Sequence, residues 1–95
     1  MNLYYCLQTV NDDYDTWDSM VVAARDELEA QTTSPSVSYR WIEEQWWFCH
    51  DNGSKTAYGP DYTGWAHPKD VKVEYIGKAK AGTEAGVICA SFNAG

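Results

Sequence analysis

Basic side chains are scarce in this 95-residue chain. Seven Lys and Arg stand against 14 Asp and Glu, a formal net charge of −7 at pH 7 with His neutral. Seven scattered cations make no electrostatic footprint for phosphates, which argues against direct nucleic-acid binding by charge neutralisation. Long apolar runs are also missing. Met20 to Ala24 is far too short to cross a bilayer, and the opening Met1-Asn2-Leu3-Tyr4-Tyr5 has no basic region of the kind that begins a signal peptide. The expectation is a soluble, cytoplasmic protein without a membrane partner.

Cysteine is sparse and odd in number, at positions 6, 49 and 89. Three widely spaced thiols do not form the framework of a secreted disulfide scaffold, and they read as reduced and mostly buried. No Cys-x-x-Cys and no His pair at helical spacing occurs, so Cys49-His50 with His67 and either Cys6 or Cys89 is not expected to hold zinc. Asp12-Asp13-Tyr14-Asp15 lacks the Gly and the closing Glu of a calcium loop. No metal and no cofactor is therefore expected. Catalytic pairings are equally poor. Cys49-His50 and Glu43-Glu44 are sequence neighbours that regular structure seldom turns toward each other, and Ser34 and Ser38 have no evident base. The reading is not an enzyme.

Aromatic side chains are plentiful: 15% of residues, with five Trp and seven Tyr, in a chain that is 44% hydrophobic. A few such rings fill a small core, and residues 1–95 read as a single domain. Leu3 to Thr9 reads as a central strand with apolar groups on both faces. Trp17, Met20, Val21, Ala24 and Leu28 sit at helical spacing, so a long helix from Asp15 competes with a strand over 16–24. Val21-Val22 and a second start signal, the capping-box pattern Asp26-Glu27-Leu28-Glu29, favour a strand followed by a short helix from Asp26. Tyr39 to Ile42 and Gln45 to Cys49 are strand-like, Asp51-Asn52-Gly53-Ser54 is a turn, and Tyr58 to Gly64 is a loop. Val71 to Ala79 and Val87 to Phe92 close the chain as strands. The fold class implied is α+β: a mostly antiparallel sheet of four to six strands with one short helix packed on one face.

Charge is unevenly spread. Residues 1–30 carry seven carboxylates against Arg25 alone, a net −6, while residues 66–95 are net +1. Asp12, Asp13, Asp15 and Asp18 fall within seven positions that hold no cation. Such a face either keeps the protein soluble or meets a basic partner. Trp46 and Trp47 are adjacent, so in a strand they point to opposite faces, one into the core and one toward a cover or a partner. Tyr58, Tyr62 and Trp65 also admit a small-ligand or nucleotide pocket.

Two stretches carry a resemblance. Leu3-Tyr4-Tyr5-Cys6-Leu7-Gln8-Thr9 with Tyr14-Asp15-Thr16-Trp17-Asp18-Ser19 and Val21-Val22-Ala23-Ala24 forms the first. Asp70-Val71-Lys72-Val73-Glu74-Tyr75-Ile76-Gly77 with Gly86-Val87-Ile88-Cys89-Ala90-Ser91-Phe92-Asn93 forms the second. Together they are similar to a group of small, acidic, uncharacterised proteins of bacteriophages and prophages. The Trp-rich middle, Tyr39 to Trp65, departs from that group. The resemblance implies a protein that works in the host bacterial cytoplasm by binding and blocking host defence machinery, as anti-CRISPR inhibitors do. On this reading an acidic face acts as a DNA mimic against a basic, nucleic-acid-binding host complex. The expected partner-binding residues are Asp12, Asp13, Asp15, Asp18, Glu43, Glu44, Trp46, Trp47 and Trp65. The alternatives are a ligand-binding module built on the Tyr58–Trp65 loop, or a housekeeping protein-interaction module.

Overall fold

A computed structural model describes residues 1–12, 14–58 and 64–94, with the Tyr58 side chain excepted. Seven strands and one short helix are arranged as β1 (Asn2–Leu7), β2 (Thr16–Ala24), α1 (Glu27–Gln31), β3 (Tyr39–Ile42), β4 (Gln45–Cys49), β5 (Lys55–Tyr58), β6 (Lys72–Lys78) and β7 (Gly86–Asn93). They form two antiparallel sheets, one of four strands in the order β6-β1-β2-β7 and one of three in the order β3-β4-β5. The α+β class holds at that coarse level. The single sheet of four to six strands is corrected to two sheets, because β3 and β4 pair with each other and with β5, not with the β6-β1-β2-β7 sheet, and Lys55–Tyr58 is an additional strand that its composition does not announce.

The competition between strand and helix over residues 16–24 is decided by pairing. Each of Ser19 to Ala24 faces a residue of β1, from Leu7↔Ser19 to Asn2↔Ala24, so the backbone groups that a helix would satisfy internally are satisfied across the sheet. β-Branched Val21-Val22 suits that pleat. The helix then starts where its cap is. The Asp26 carboxylate accepts from the Glu29 N–H at 2.8 Å. The reciprocal half of the expected capping box is displaced by one residue: Glu29 Oε1 accepts from the Arg25 N–H at 3.0 Å, and the Arg25 guanidinium closes on Glu29 Oε2 at 2.7 Å. Thr32 ends the helix, its hydroxyl donating to the Leu28 carbonyl at 2.9 Å.

Alternation sorts the four-stranded sheet into two unlike faces. Tyr4 and Cys6 from β1 and Met20, Val22 and Ala24 from β2 point inward and are buried. Ala30 of α1 packs on this face, near enough for the Cys6 thiol to reach the Ala30 carbonyl at 3.9 Å. Trp46, Trp65, Ala66 and Val71 complete the same cluster, so the core is built from both sheets and the 65–71 segment. Burial of large aromatics dominates it, and losing one such ring to Ala costs about 3–5 kcal/mol. Leu3, Tyr5, Leu7 and Val21 on the other face remain half-buried. β1 is central, as its composition suggests, yet only its inner face is covered. Among the described residues no helix is long and apolar enough to cross a membrane.

Candidate partner-binding surface

The acidic segment is shaped by a buried polar residue, Gln8, which lies in phase with Tyr4 and Cys6 and so points to the inner side of the sheet. A buried primary amide needs several partners, and Gln8 has them. Its Oε1 accepts from the Asn11 N–H at 2.8 Å, and its Nε2 donates to the carbonyls of Asn11 at 2.7 Å and Trp17 at 2.8 Å. Asn11 Nδ2 in turn donates to the Trp65 carbonyl at 3.0 Å. Three more backbone bonds fix the ends of the turn: Gln8 N to Asp18 O at 3.0 Å, Asp15 N to Asn93 O at 2.7 Å and Trp17 N to Gly64 O at 2.8 Å. The β1–β2 connection is therefore tied at Asn11, Asp15, Trp17 and Asp18.

That framework brings Asp12 and Asp18 to the rim of one hollow of about 430 Å³ on the open side of the four-stranded sheet. Tyr5 and Leu7 line it with Ser19 and Ser91, and no cationic residue does. A second hollow of about 250 Å³ adjoins it, sharing Tyr5, Ser19 and Ser91 and reaching Val21 and Cys89. Tyr5 lies with the small side chains of Ser19 and Ser91 in the lining of both hollows. Among the described residues Arg25 and Glu29 form an ion pair, and none involves Asp12, Asp15 or Asp18. Asp18 Oδ1 accepts from the Ser19 hydroxyl at 2.9 Å. Chemically, an aromatic recess rimmed by two carboxylates suits a guanidinium or ammonium group, which gains both charge pairing and a π-face.

The remaining expected residues are dispersed. Asp15 is exposed in a left-handed backbone conformation, φ 61°, just before β2. Asp13 lies outside the described residues, as does most of the Tyr58–Trp65 loop. Glu43 and Glu44 are exposed at the two-residue tip of the β3–β4 hairpin and do not line the Asp12–Asp18 hollow. Trp46 and Trp47 point to opposite faces. Trp46 is 1% exposed and donates from Nε1 to the Ala66 carbonyl at 3.0 Å. Trp47 is half-buried, donates to the Ile42 carbonyl at 3.1 Å and lies under the Lys55 ammonium at 4.8 Å.

Two of the expected partner contacts are therefore corrected. Trp46 and Trp65, at 1% and 0% exposure, have no side-chain surface to offer and belong to the core. The cysteines also divide more sharply than expected: Cys6 is buried, Cys49 intermediate and Cys89 exposed, all three as free thiols. Burial pushes the Cys6 thiol up to about 11. Composition did not single out Tyr5 or Gln8, although the alternation Tyr4, Cys6, Gln8 against Tyr5, Leu7 held the signal for both. Among the described residues no group of three or more His, Cys, Asp and Glu is arranged to hold a metal ion. Compared with known proteins, the chain matches no family model, no curated protein and no solved structure.

Proposed function

We propose that the chain is a non-catalytic binding protein that blocks a basic, nucleic-acid-binding site on another protein, in the manner of a phage-borne inhibitor of a host defence complex. The observation that carries this reading is the placement of Asp12 and Asp18 on the rim of the Tyr5–Leu7 hollow. A partner selected to attract phosphates presents Arg and Lys at close spacing. One such side chain entering the hollow exchanges water for two carboxylates and an aromatic face. Occupation of those cations excludes the nucleic acid that they otherwise hold.

The test is capture of host protein from a bacterial lysate, followed by elution with double-stranded DNA. The expected retained protein is basic, is released by DNA, and is lost from the double variant Asp12→Lys with Asp18→Lys. A control pair, Lys78→Glu with Lys80→Glu, leaves retention intact. Equal retention by the aspartate double variant, or a captured protein that DNA does not displace, overturns the proposal.

A further inference from the structure

The two edges of the four-stranded sheet differ in how they are protected. β6 carries Lys72, Glu74 and Lys78, with Gly77 at φ 147° beside a register shift opposite Leu3 and Tyr4. Charges and irregularities of this kind blunt an edge against pairing with another chain. β7 has the sequence GVICASFN, eight residues without a charge, and Ile88 to Asn93 are exposed. Ile88 is 53% and Phe92 47% exposed.

We propose that β7 pairs antiparallel with the β7 of a second copy of this chain, joining two four-stranded sheets into one of eight strands. With Ala90 opposite its own symmetry mate, Ile88 of each copy faces Phe92 of the other. A single register thus covers both exposed apolar side chains twice, as aromatic–aliphatic cross-strand pairs. An uncharged strand meets itself without like charges opposed. Charge outside the strand is complementary as well. The Asn93 end is bonded to the acidic turn through Asp15 N–H. The Gly86 end borders a groove of about 650 Å³ that runs along Tyr39 to Ile42 of β3 and is lined by Arg40 and by Glu29, whose carboxylate is already paired with Arg25. Antiparallel pairing carries the second copy's Asn93 end, with its Asp15, toward that groove and Arg40. The groove also gives the end of the incoming strand room beside Val87. The open sheet face is left uncovered, so the dimer presents two Tyr5 hollows.

Sedimentation of the full chain over a range of concentrations tests this. The mass is expected to rise from 10.7 kDa toward twice that value. Ile88→Lys, which sets a cation against the second copy's Phe92, is expected to hold the chain monomeric with its circular dichroism unchanged. Ile76→Lys on the β6 edge, where Ile76 is 50% exposed, is expected to dimerise as the parent does. Independently of those variants, Cys89→Ser with Ala90→Cys is expected to give a disulfide-linked dimer on mild oxidation with copper–phenanthroline. A parent chain that stays monomeric at every concentration overturns the proposal. So does equal dissociation by Ile88→Lys and Ile76→Lys, or no covalent dimer from the Ala90→Cys chain.

Discussion

The Trp17 ring occupies the space that a side chain on residue 64 would need: a Cβ built there lies 2.9 Å from Trp17 Cζ3. The same ring packs against Phe92 at 4.7 Å between centroids, tilted by 58°, and the Trp17 N–H bonds the Gly64 carbonyl at 2.8 Å. This contact ties the segment leading to Trp65 against β2 and β7, at the end of the sheet where the acidic turn sits.

Gly64→Ala is accordingly expected to destabilise. Gly64 has φ 70°, a conformation that costs an L-residue roughly 1–2 kcal/mol, and the clash with Trp17 adds to it. Urea unfolding of the variant should show a lower midpoint with an unchanged slope. Trp17→Leu, which removes the clash but also the ring contact with Phe92, should fail to restore the parent midpoint.

The β3–β4 hairpin offers the opposite change. Glu43 and Glu44, at φ 51° and 62°, occupy the two central positions of a tight turn that favours Asn-Gly. Glu43→Asn with Glu44→Gly should stabilise the chain by about 1–2 kcal/mol, the strain released from the left-handed conformation. Thermal melting checks this, and an unchanged or lower midpoint contradicts the strain argument.

Acid should loosen the helix start first. The Arg25 backbone and side-chain bonds hold the Glu29 carboxyl below its usual value of 4.5. A depressed carboxylate contributes stability that is full above the unfolded value and lost as the pH falls through the folded one. Glu29→Gln should therefore flatten the acid limb of the stability curve below about pH 4.5, while stability differences at neutral pH persist. Asp26→Ala should cost about 1 kcal/mol at pH 7 through the lost cap.

Thiol alkylation should follow exposure and ionisation. Cys89 is exposed on β7 and should react first in the native chain. Cys6, buried and raised to about 11, should react only on unfolding. Mass spectrometry after timed alkylation gives the order, and native modification of Cys6 before Cys89 would contradict the packing.

Local chemistry was enough for the sequence to specify the elements it did. The Asp26 cap, the Val21-Val22 pleat, the Asn52-Gly53 turn and the alternation over Val71 to Ile76 each depend on neighbours a few residues away. Hence β2, α1, β6 and β7 were legible from residue type and spacing. The opposed faces of Trp46 and Trp47 follow from the same two-residue period. What the sequence could not determine depends on contacts between distant segments. Whether Trp65 is an anchor or core depends on Trp46 and Ala66 meeting it, and whether β1 is covered on one face or two depends on where the second sheet goes. Asp12 and Asp18 reach one hollow only because Gln8, in phase with the buried strand residues, turns inward and fixes the chain between them. A buried amide has the same letter as an exposed one, and its partners at Asn11 and Trp17, with the Asn11 bond on to Trp65, exist only in the folded chain.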